Sequence, residues 1–139
     1  MKTAIVGTLI GILALSLAGC GGSGSISGDP LDGTAWELAA YRKSRPISGT
    51  TITATFEDGR VYGSGGCNSY SGSYQVSGDA ITVGALAWTE MACLEPDGVM
   101  EQEVLVMAYL ADAQTFRLAE GQLLIVQSEG EALTFTPQQ

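Results

Sequence analysis

The stretch GSGGCNSYSGSY, residues 63–74, combines closely spaced glycines with alternating aromatic residues and is the part of the sequence that most restricts the fold. Glycines within a strand permit a bulge, a sharp bend or a close approach of two backbones. Asn68 tolerates the left-handed conformation that such a corner favours. Tyr70 and Tyr74 lie four residues apart and therefore share one side of a strand, where packing is their expected role. The stretch predicts a strand that begins at a structural corner.

The same glycines also suggest an anion-binding loop. Residues 63–68 lack the Lys-Ser/Thr pair of a P-loop, and their glycine spacing differs from that of a dinucleotide-binding fingerprint. A structural corner is therefore the preferred interpretation over a phosphate site.

Short runs of alternating apolar residues flank this stretch on both sides and continue along the chain from Leu31. Turn sequences such as Asp58-Gly59 and Glu120-Gly121 separate them. Trp36 alternates with Leu38 and is expected in the core. The pattern predicts a mainly β fold, a small antiparallel β-barrel or strongly curved sheet of about eight strands. The candidate strands are 34–41, 50–56, 60–64, 70–76, 80–83, 86–93, 115–119, 122–127 and 133–136.

One α-helix is predicted over residues 98–111, following Pro96 and with Asp97 as its N-cap. The helix is apolar nearly all round, so we expect it to cap or plug the barrel and to be buried on several sides. The alternative leaves one apolar face for a partner or for the bilayer surface. Other apolar residues spread over the rest of the helical wheel, and those that share about one third of it are Met100, Val104, Met107, Ala108 and Ala111.

The N-terminus has the three parts of an export signal. Lys2 supplies a positive charge, an apolar run follows, and residues 17–20 read Leu-Ala-Gly-Cys, which matches a bacterial lipobox. The run is too short for a membrane span, which needs about 20 apolar residues. We predict a signal peptide over residues 1–19, a lipidated Cys20 that begins a Gly/Ser tether over residues 20–30, and a domain over residues 31–137. The alternatives are an ordinary secretory peptide and a buried helix.

The lipid on Cys20 would place the protein in the cell envelope. With Gly21 after the cysteine, a Gram-negative host would sort it to the outer membrane, facing the periplasm. In a Gram-positive host it would lie on the outer face of the plasma membrane. The membrane is therefore the first expected partner, and the protein is expected to be a monomer.

The cysteine count depends on this anchor. Three cysteines are present, and acylation of Cys20 leaves Cys67 and Cys93 as one pair in an oxidising compartment. We predict that these two form a disulfide. The alternative is two buried thiols that never meet.

Composition excludes several classes of function. The 139 residues include 15 Asp and Glu, 6 Lys and Arg and no His, which gives a formal net charge of −9. Binding to nucleic acid needs clustered cations and is not expected. The missing histidines exclude Ser-His-Asp triads, Cys-His dyads and HExxH zinc sites.

Carboxylates are the remaining candidates for chemistry, and we expect them to be solvated. No DxDxDG calcium loop is present. We therefore expect no catalytic residue, no metal site and no cofactor. The hydrolase candidates are Glu57 with Asp58, Glu101 with Glu103, and Glu129 with Glu131. The calcium candidates are Asp29 with Asp32, and Glu95 with Asp97.

Together these segments resemble the META domain family, to which the heat-inducible bacterial lipoprotein HslJ belongs. The resemblance rests on GTAWEL at 33–38, GCNSYSGSY at 66–74, TEMAC at 89–93, the helix around Glu101, and Leu133-Thr134-Phe135 in the last strand. It covers residues 31–137. The positions that form the motif are Gly33, Trp36, Gly63, Gly66, Cys67, Asn68, Tyr70, Gly72, Tyr74, Thr89, Met91 and Cys93.

The resemblance implies a small, mostly antiparallel β-barrel-like fold with one helix, an envelope location and an association with heat stress. For some members it also implies antibiotic tolerance, secretion or motility. It supplies no catalytic residues. We therefore expect a non-enzymatic, stress-related envelope lipoprotein that binds an envelope protein or maintains the envelope. A barrel that holds a small apolar ligand is the alternative.

Overall fold

The computed structural model describes residues 28–130 and 132–139. The predicted signal peptide, Cys20 and most of the tether lie outside the described residues, as does Glu131. Within the described part, no helix is both long enough and apolar enough to span a membrane. The elements are β1 (Thr34–Tyr41), β2 (Thr53–Glu57), β3 (Arg60–Ser64), β4 (Ser69–Ser77), β5 (Ala80–Val83), β6 (Ala87–Trp88), α1 (Val99–Ala111), β7 (Ala113–Ala119), β8 (Gln122–Gln127) and β9 (Ala132–Pro137).

Eight of the strands close into an antiparallel barrel. Their order is β3-β2-β1-β9-β8-β7-β5-β4, and β3 pairs with β4 to complete the circle. The short β6 pairs with the first residues of β4, beyond the part of β4 that pairs with β5. The prediction of a mainly β barrel with one helix is confirmed.

The two ends of the barrel differ. The hairpin turns at 58–59, 78–79 and 120–121 lie at one end, here called the turn end, where the chain also enters β1. Asp32 holds this entry, because its carboxylate accepts a hydrogen bond from the Asp58 backbone N–H at 2.7 Å. The opposite end, here called the helix end, carries α1, the long loop after β1, the β3–β4 loop and the segment after β6.

The core follows the alternation of the strands, because every second side chain points inward. In β8, for example, Leu123 and Ile125 are fully buried. The Phe56 and Tyr74 rings meet edge to face with centroids 4.9 Å apart, an arrangement that adds to the stabilisation from burial. Trp36 is buried, as predicted, and its indole N–H donates to the Thr34 hydroxyl at 2.7 Å.

The helix differs from the prediction at its start. It begins at Val99, and the N-cap residue is Gly98 in a left-handed conformation with φ 82°, without a side-chain cap from Asp97. A methyl group at Gly98 would approach the Ile47 side chain within 3.3 Å, so the glycine also allows the β1–β2 loop to pack closely here.

The side that α1 buries is not the one-third sector of the helical wheel described above. Of its five residues only Met107 is buried, and Val104 is 62% exposed. The helix is rotated because two polar side chains turn inward and find partners there. The residues that α1 buries are Val99, Gln102, Glu103, Val106, Met107 and Leu110.

At Gly63, β3 passes close to the backbone of β2. A Cβ atom there would lie 2.2 Å from the Thr53 carbonyl oxygen, so one of the two backbones would have to move. We predict that Gly63→Ala lowers the free energy of unfolding by about 2 kcal/mol, as overpacking typically does. Denaturant unfolding measures this cost.

Gly78→Ala is the matched control, because no atom lies within 4 Å of its added methyl group and only its φ of 63° is unfavourable. We expect it to cost about 1 kcal/mol. Equal losses in the two variants would contradict the close approach at Gly63.

Candidate functional site

The β3–β4 loop wraps around a buried carboxylate. Glu103 on α1 is only 3% exposed, and it accepts hydrogen bonds from the backbone N–H groups of Cys67 at 3.0 Å and Asn68 at 2.6 Å. The Asn68 side-chain amide donates a third bond at 2.7 Å. The expectation of a solvated Glu103 is therefore wrong. The glycine-rich loop is a corner, as preferred, and its N–H groups do converge on an anion, but that anion belongs to the protein itself.

Two glycines make this contact possible. Gly66 has a φ of 113°, so it and not Asn68 takes the backbone conformation that glycine favours. At Gly65 an added Cβ would lie 2.6 Å from the Glu103 carboxylate, so any side chain there would displace it. The loop sequence thus fits around the carboxylate because two of its residues lack a side chain.

Asn68 links the loop to the segment that follows β6. Its amide oxygen accepts from the Thr89 hydroxyl and from the Met91 backbone N–H, both at 2.7 Å. Its amide nitrogen donates to the Met91 carbonyl at 3.2 Å as well as to Glu103. The buried amide is thereby satisfied at both ends.

These contacts correct the predicted strand 86–93. In the structure only Ala87 and Trp88 pair as a strand, and the Met91 backbone bonds to the Asn68 side chain instead of to a neighbouring strand. The Asn68 side chain takes the place of the backbone of a neighbouring strand, which the sequence pattern does not reveal.

A disulfide closes the same region. Cys67 and Cys93 are joined with their Cα atoms 6.0 Å apart, within the usual range for such a bond. This is the pair that the cysteine count predicts. The bond ties the β3–β4 loop to the segment before α1. We call the resulting set of residues the corner cluster, and its members are Cys67, Asn68, Thr89, Met91, Cys93 and Glu103.

The structure brings together some of the motif positions and separates others. Gly63, Gly66 and the corner cluster lie at the helix end, whereas Gly33 with φ 74° marks the entry to β1 at the turn end. Tyr70 is buried and donates to the Thr53 carbonyl at 2.7 Å. Burial raises the pKa of the Tyr70 phenol, which keeps it a neutral donor. The remaining motif residues have packing roles: Trp36 and Tyr74 are core side chains, and a Cβ at Gly72 would lie 2.7 Å from Leu86.

Sequence reasoning missed Gln102 altogether and missed the structural role of Glu103. The Gln102 amide oxygen accepts from the Ile47 N–H at 2.6 Å, and its nitrogen donates to the Thr50 hydroxyl at 3.0 Å. The signal that would have found them is the run of three polar residues, Glu101–Glu103, in a helix that is otherwise apolar. Each holds a separate loop against α1.

The polar groups and the cysteines of the corner cluster are bonded to one another. The Glu103 carboxylate is occupied by three N–H donors, and both thiols are in the disulfide. Among residues 28–130 and 132–139, no three Asp, Glu, Cys or His side chains are placed to hold a metal ion.

The fold and the cluster define a small β-barrel domain of eight antiparallel strands, with one helix across one end and a disulfide-braced corner beneath that helix. The META domain family model matches residues 29–139. The chain belongs to the META domain family, as the sequence motifs indicate.

Solved structures share this fold. An NMR structure of a protein from Burkholderia xenovorans is 29% identical, with a TM-score of 0.61, and the match covers 78% of this chain and 83% of that one. A second NMR structure is 22% identical, with a TM-score of 0.63 and coverage of 77% and 91%. A crystal structure of a DUF4847 family protein from Bacteroides vulgatus is 13% identical, with a TM-score of 0.55 and coverage of 79% and 97%, and shows likeness of fold alone. No curated protein matches the sequence.

Proposed function

We propose that this META domain protein is a non-enzymatic lipoprotein of the bacterial cell envelope that recognises another envelope protein through its outer surface, in a stress-related or envelope-maintenance role. The observation that carries the proposal is that the interior of the barrel is filled by its own side chains while large apolar side chains remain exposed outside. Recognition is therefore assigned to the surface.

Both the interior and the ends support this assignment. Phe56 and Phe135 fill the barrel, and Met107 and Leu110 close it from α1, all of them buried. Leu31 is fully buried where the chain enters at the turn end. A ligand inside would have to displace well-packed groups, and each such side chain contributes about 1.5–3 kcal/mol through its burial.

A small apolar ligand is the second candidate, because eight-stranded barrels can enclose one. Native mass spectrometry of the purified chain separates the two. A protein mass without an added small molecule supports surface recognition, whereas a reproducible adduct lost on unfolding would favour the ligand-binding role.

The anchor is tested at Cys20. We expect the wild-type chain to incorporate radiolabelled palmitate and to fractionate with membranes, because buried acyl carbons contribute about 0.8 kcal/mol for each CH₂ and several chains make anchoring stable. Cys20→Ala should lose the label and leave no lipid-modified form. Globomycin should trap the unprocessed precursor of the wild type.

Ser23→Ala in the tether is the matched control and should label normally. An unlabelled wild-type chain, or a labelled Cys20→Ala chain, would contradict the proposed anchor and with it the proposed location at the outer membrane or plasma membrane.

A further inference from the structure

The helix end carries an apolar stretch that the corner cluster does not use. Trp88, Met91 and Leu94 are 50%, 55% and 87% exposed and lie three residues apart along the segment between β6 and α1. Single exposed apolar residues are common on protein surfaces. Three large ones within seven residues, followed by the exposed Val104 on α1, form a more concentrated feature.

The backbone beneath these side chains is held in place. The Thr89 N–H donates to the Ser69 carbonyl at 3.0 Å, the Met91 backbone is bonded on both sides to Asn68, and Cys93 is in the disulfide. The segment is thus fixed by polar and covalent contacts while its apolar side chains point to solvent. A surface prepared in this way loses little conformational entropy when it binds.

The charged residues within this part of the sequence have one sign. No Lys or Arg occurs anywhere in residues 61–116. The carboxylates interleaved with the apolar residues are all exposed, and they are Glu90, Glu95, Asp97 and Glu101. We call these four, together with Trp88, Met91, Leu94 and Val104, the acidic-apolar face.

Arg42, in the loop after β1, contacts a different side of α1. The Arg42 guanidinium stacks over the Tyr109 ring at 5.0 Å. At 100° per residue, Tyr109 and Val104 are about 140° apart around the helix axis. The loop after β1 therefore reaches α1 on the side that carries Tyr109, away from Val104.

We propose that the acidic-apolar face binds a cationic amphipathic segment of a protein partner. Apolar side chains of that segment would pack on Trp88, Met91 and Leu94, and its Lys or Arg side chains would meet the surrounding carboxylates. Met91 suits such a surface because its flexible thioether adapts to different apolar shapes. This inference rests on the proposed role of the domain in surface recognition and specifies the chemistry of the partner.

Charge selects this occupant over the others. A second copy of the chain would bring the same carboxylates face to face, and an anionic bilayer surface would repel them. The proposed lipid anchor precedes the point where the chain enters the barrel, which is at the turn end. The acidic-apolar face lies at the opposite, helix end, and this position agrees with a protein partner.

The test uses the full chain, purified from whichever cell fraction holds it, and a labelled synthetic peptide as the probe. The peptide contains only leucine and lysine, arranged as an amphipathic helix of about 18 residues, or five turns. We expect fluorescence anisotropy to show saturable binding that Leu94→Ala weakens about tenfold, as loss of a central apolar contact does. Glu90→Gln combined with Glu95→Gln should weaken it similarly and reduce its salt dependence.

Leu118→Ala combined with Glu120→Gln is the matched control. Leu118 is 43% exposed on β7 and Glu120 follows in the turn, so this pair carries the same kinds of group at the turn end. The control should bind the peptide like the wild type. Far-UV circular dichroism should show that every variant is folded, since all the replaced side chains are exposed.

Several results would overturn the proposal. Three results would each contradict the proposal that the acidic-apolar face binds a cationic segment. They are absent binding of the peptide, equal binding by all variants, and equally tight binding of a leucine–glutamate peptide. A dimer of the wild type that dissociates in Leu94→Ala would assign the face to a second copy, and vesicle binding lost in that variant would assign it to lipid. Palmitate labelling of Cys20 is measured in a separate experiment. A result that contradicts the proposed lipid anchor can therefore be distinguished from one that contradicts peptide binding by the acidic-apolar face.

Discussion

Replacement of Glu103 by alanine is expected to lower the free energy of unfolding by about 3 kcal/mol. The carboxylate accepts three hydrogen bonds, from two backbone N–H groups and the Asn68 amide, in a region where Asn68 is 2% exposed. A hydrogen bond to a charged group contributes about 1.5–3 kcal/mol, and a buried donor left without an acceptor costs about 1–3 kcal/mol. Partial access of water to the loop keeps the total below the roughly 4.5 kcal/mol that three such bonds give at the lower end of that range.

Two variants show whether the hydrogen bonds are responsible. Glu101→Ala removes an exposed carboxylate two residues away and should cost less than about 1 kcal/mol, from the helix dipole alone. Glu103→Gln should fall between these values, near 2 kcal/mol. Its amide oxygen can still accept from the Cys67 and Asn68 N–H groups, but its NH₂ group then faces the NH₂ group of Asn68.

Urea unfolding, monitored by circular dichroism, measures the free energy of unfolding of all three variants. A loss below about 1 kcal/mol for Glu103→Ala would mean that the β3–β4 loop does not depend on the carboxylate. A loss in Glu101→Ala as large as that in Glu103→Ala would assign the effect to helix stability instead.

The strands were predictable because the sequence features that define them, alternation and turn residues, are local. In β2, for instance, Ala54 and Phe56 alternate with more exposed residues, and the Asp58-Gly59 turn follows directly. Alternation and turn chemistry act over two to four residues, so a sequence displays them directly. The barrel then follows from the number and spacing of the strands.

The orientation of α1 was not predictable from hydrophobicity, because its decisive contacts are polar and distant in sequence. Glu103 bonds to Asn68, 35 residues away, and Gln102 bonds to Ile47, 55 residues away. A helical wheel counts both as outward residues. Once these two side chains turn inward, Val104 is carried to the surface, which is how an apolar residue becomes part of the acidic-apolar face.

The predicted end of the sixth strand was wrong for a related reason. Leu86 to Cys93 has strand-like composition, yet Asn68 supplies the hydrogen bonds that another strand would have supplied to Met91. A single asparagine thereby sets both where β6 ends and how its exposed continuation is held.

Removal of the disulfide, by Cys67→Ser combined with Cys93→Ser, should lower the free energy of unfolding by about 3.5 kcal/mol. The bond closes a loop with a sequence separation of 26 residues, and the chain-entropy model gives that value for a loop of this length. Unfolding of the reduced wild-type chain should agree with unfolding of the double variant, since both lack the same bond. A difference below about 1 kcal/mol between oxidised and reduced wild type would contradict the prediction.

The disulfide and Glu103 act on the same loop, so their effects should not add. With the disulfide present, the Cys67 and Asn68 N–H groups are held near position 103 and gain only partial access to water when the carboxylate is removed. Without it, the loop can open toward water, and Glu103→Ala should then cost about 1 kcal/mol less. The double-mutant cycle measures this coupling. Strict additivity would mean that the disulfide acts only on the unfolded chain and that the carboxylate alone positions the corner beneath α1.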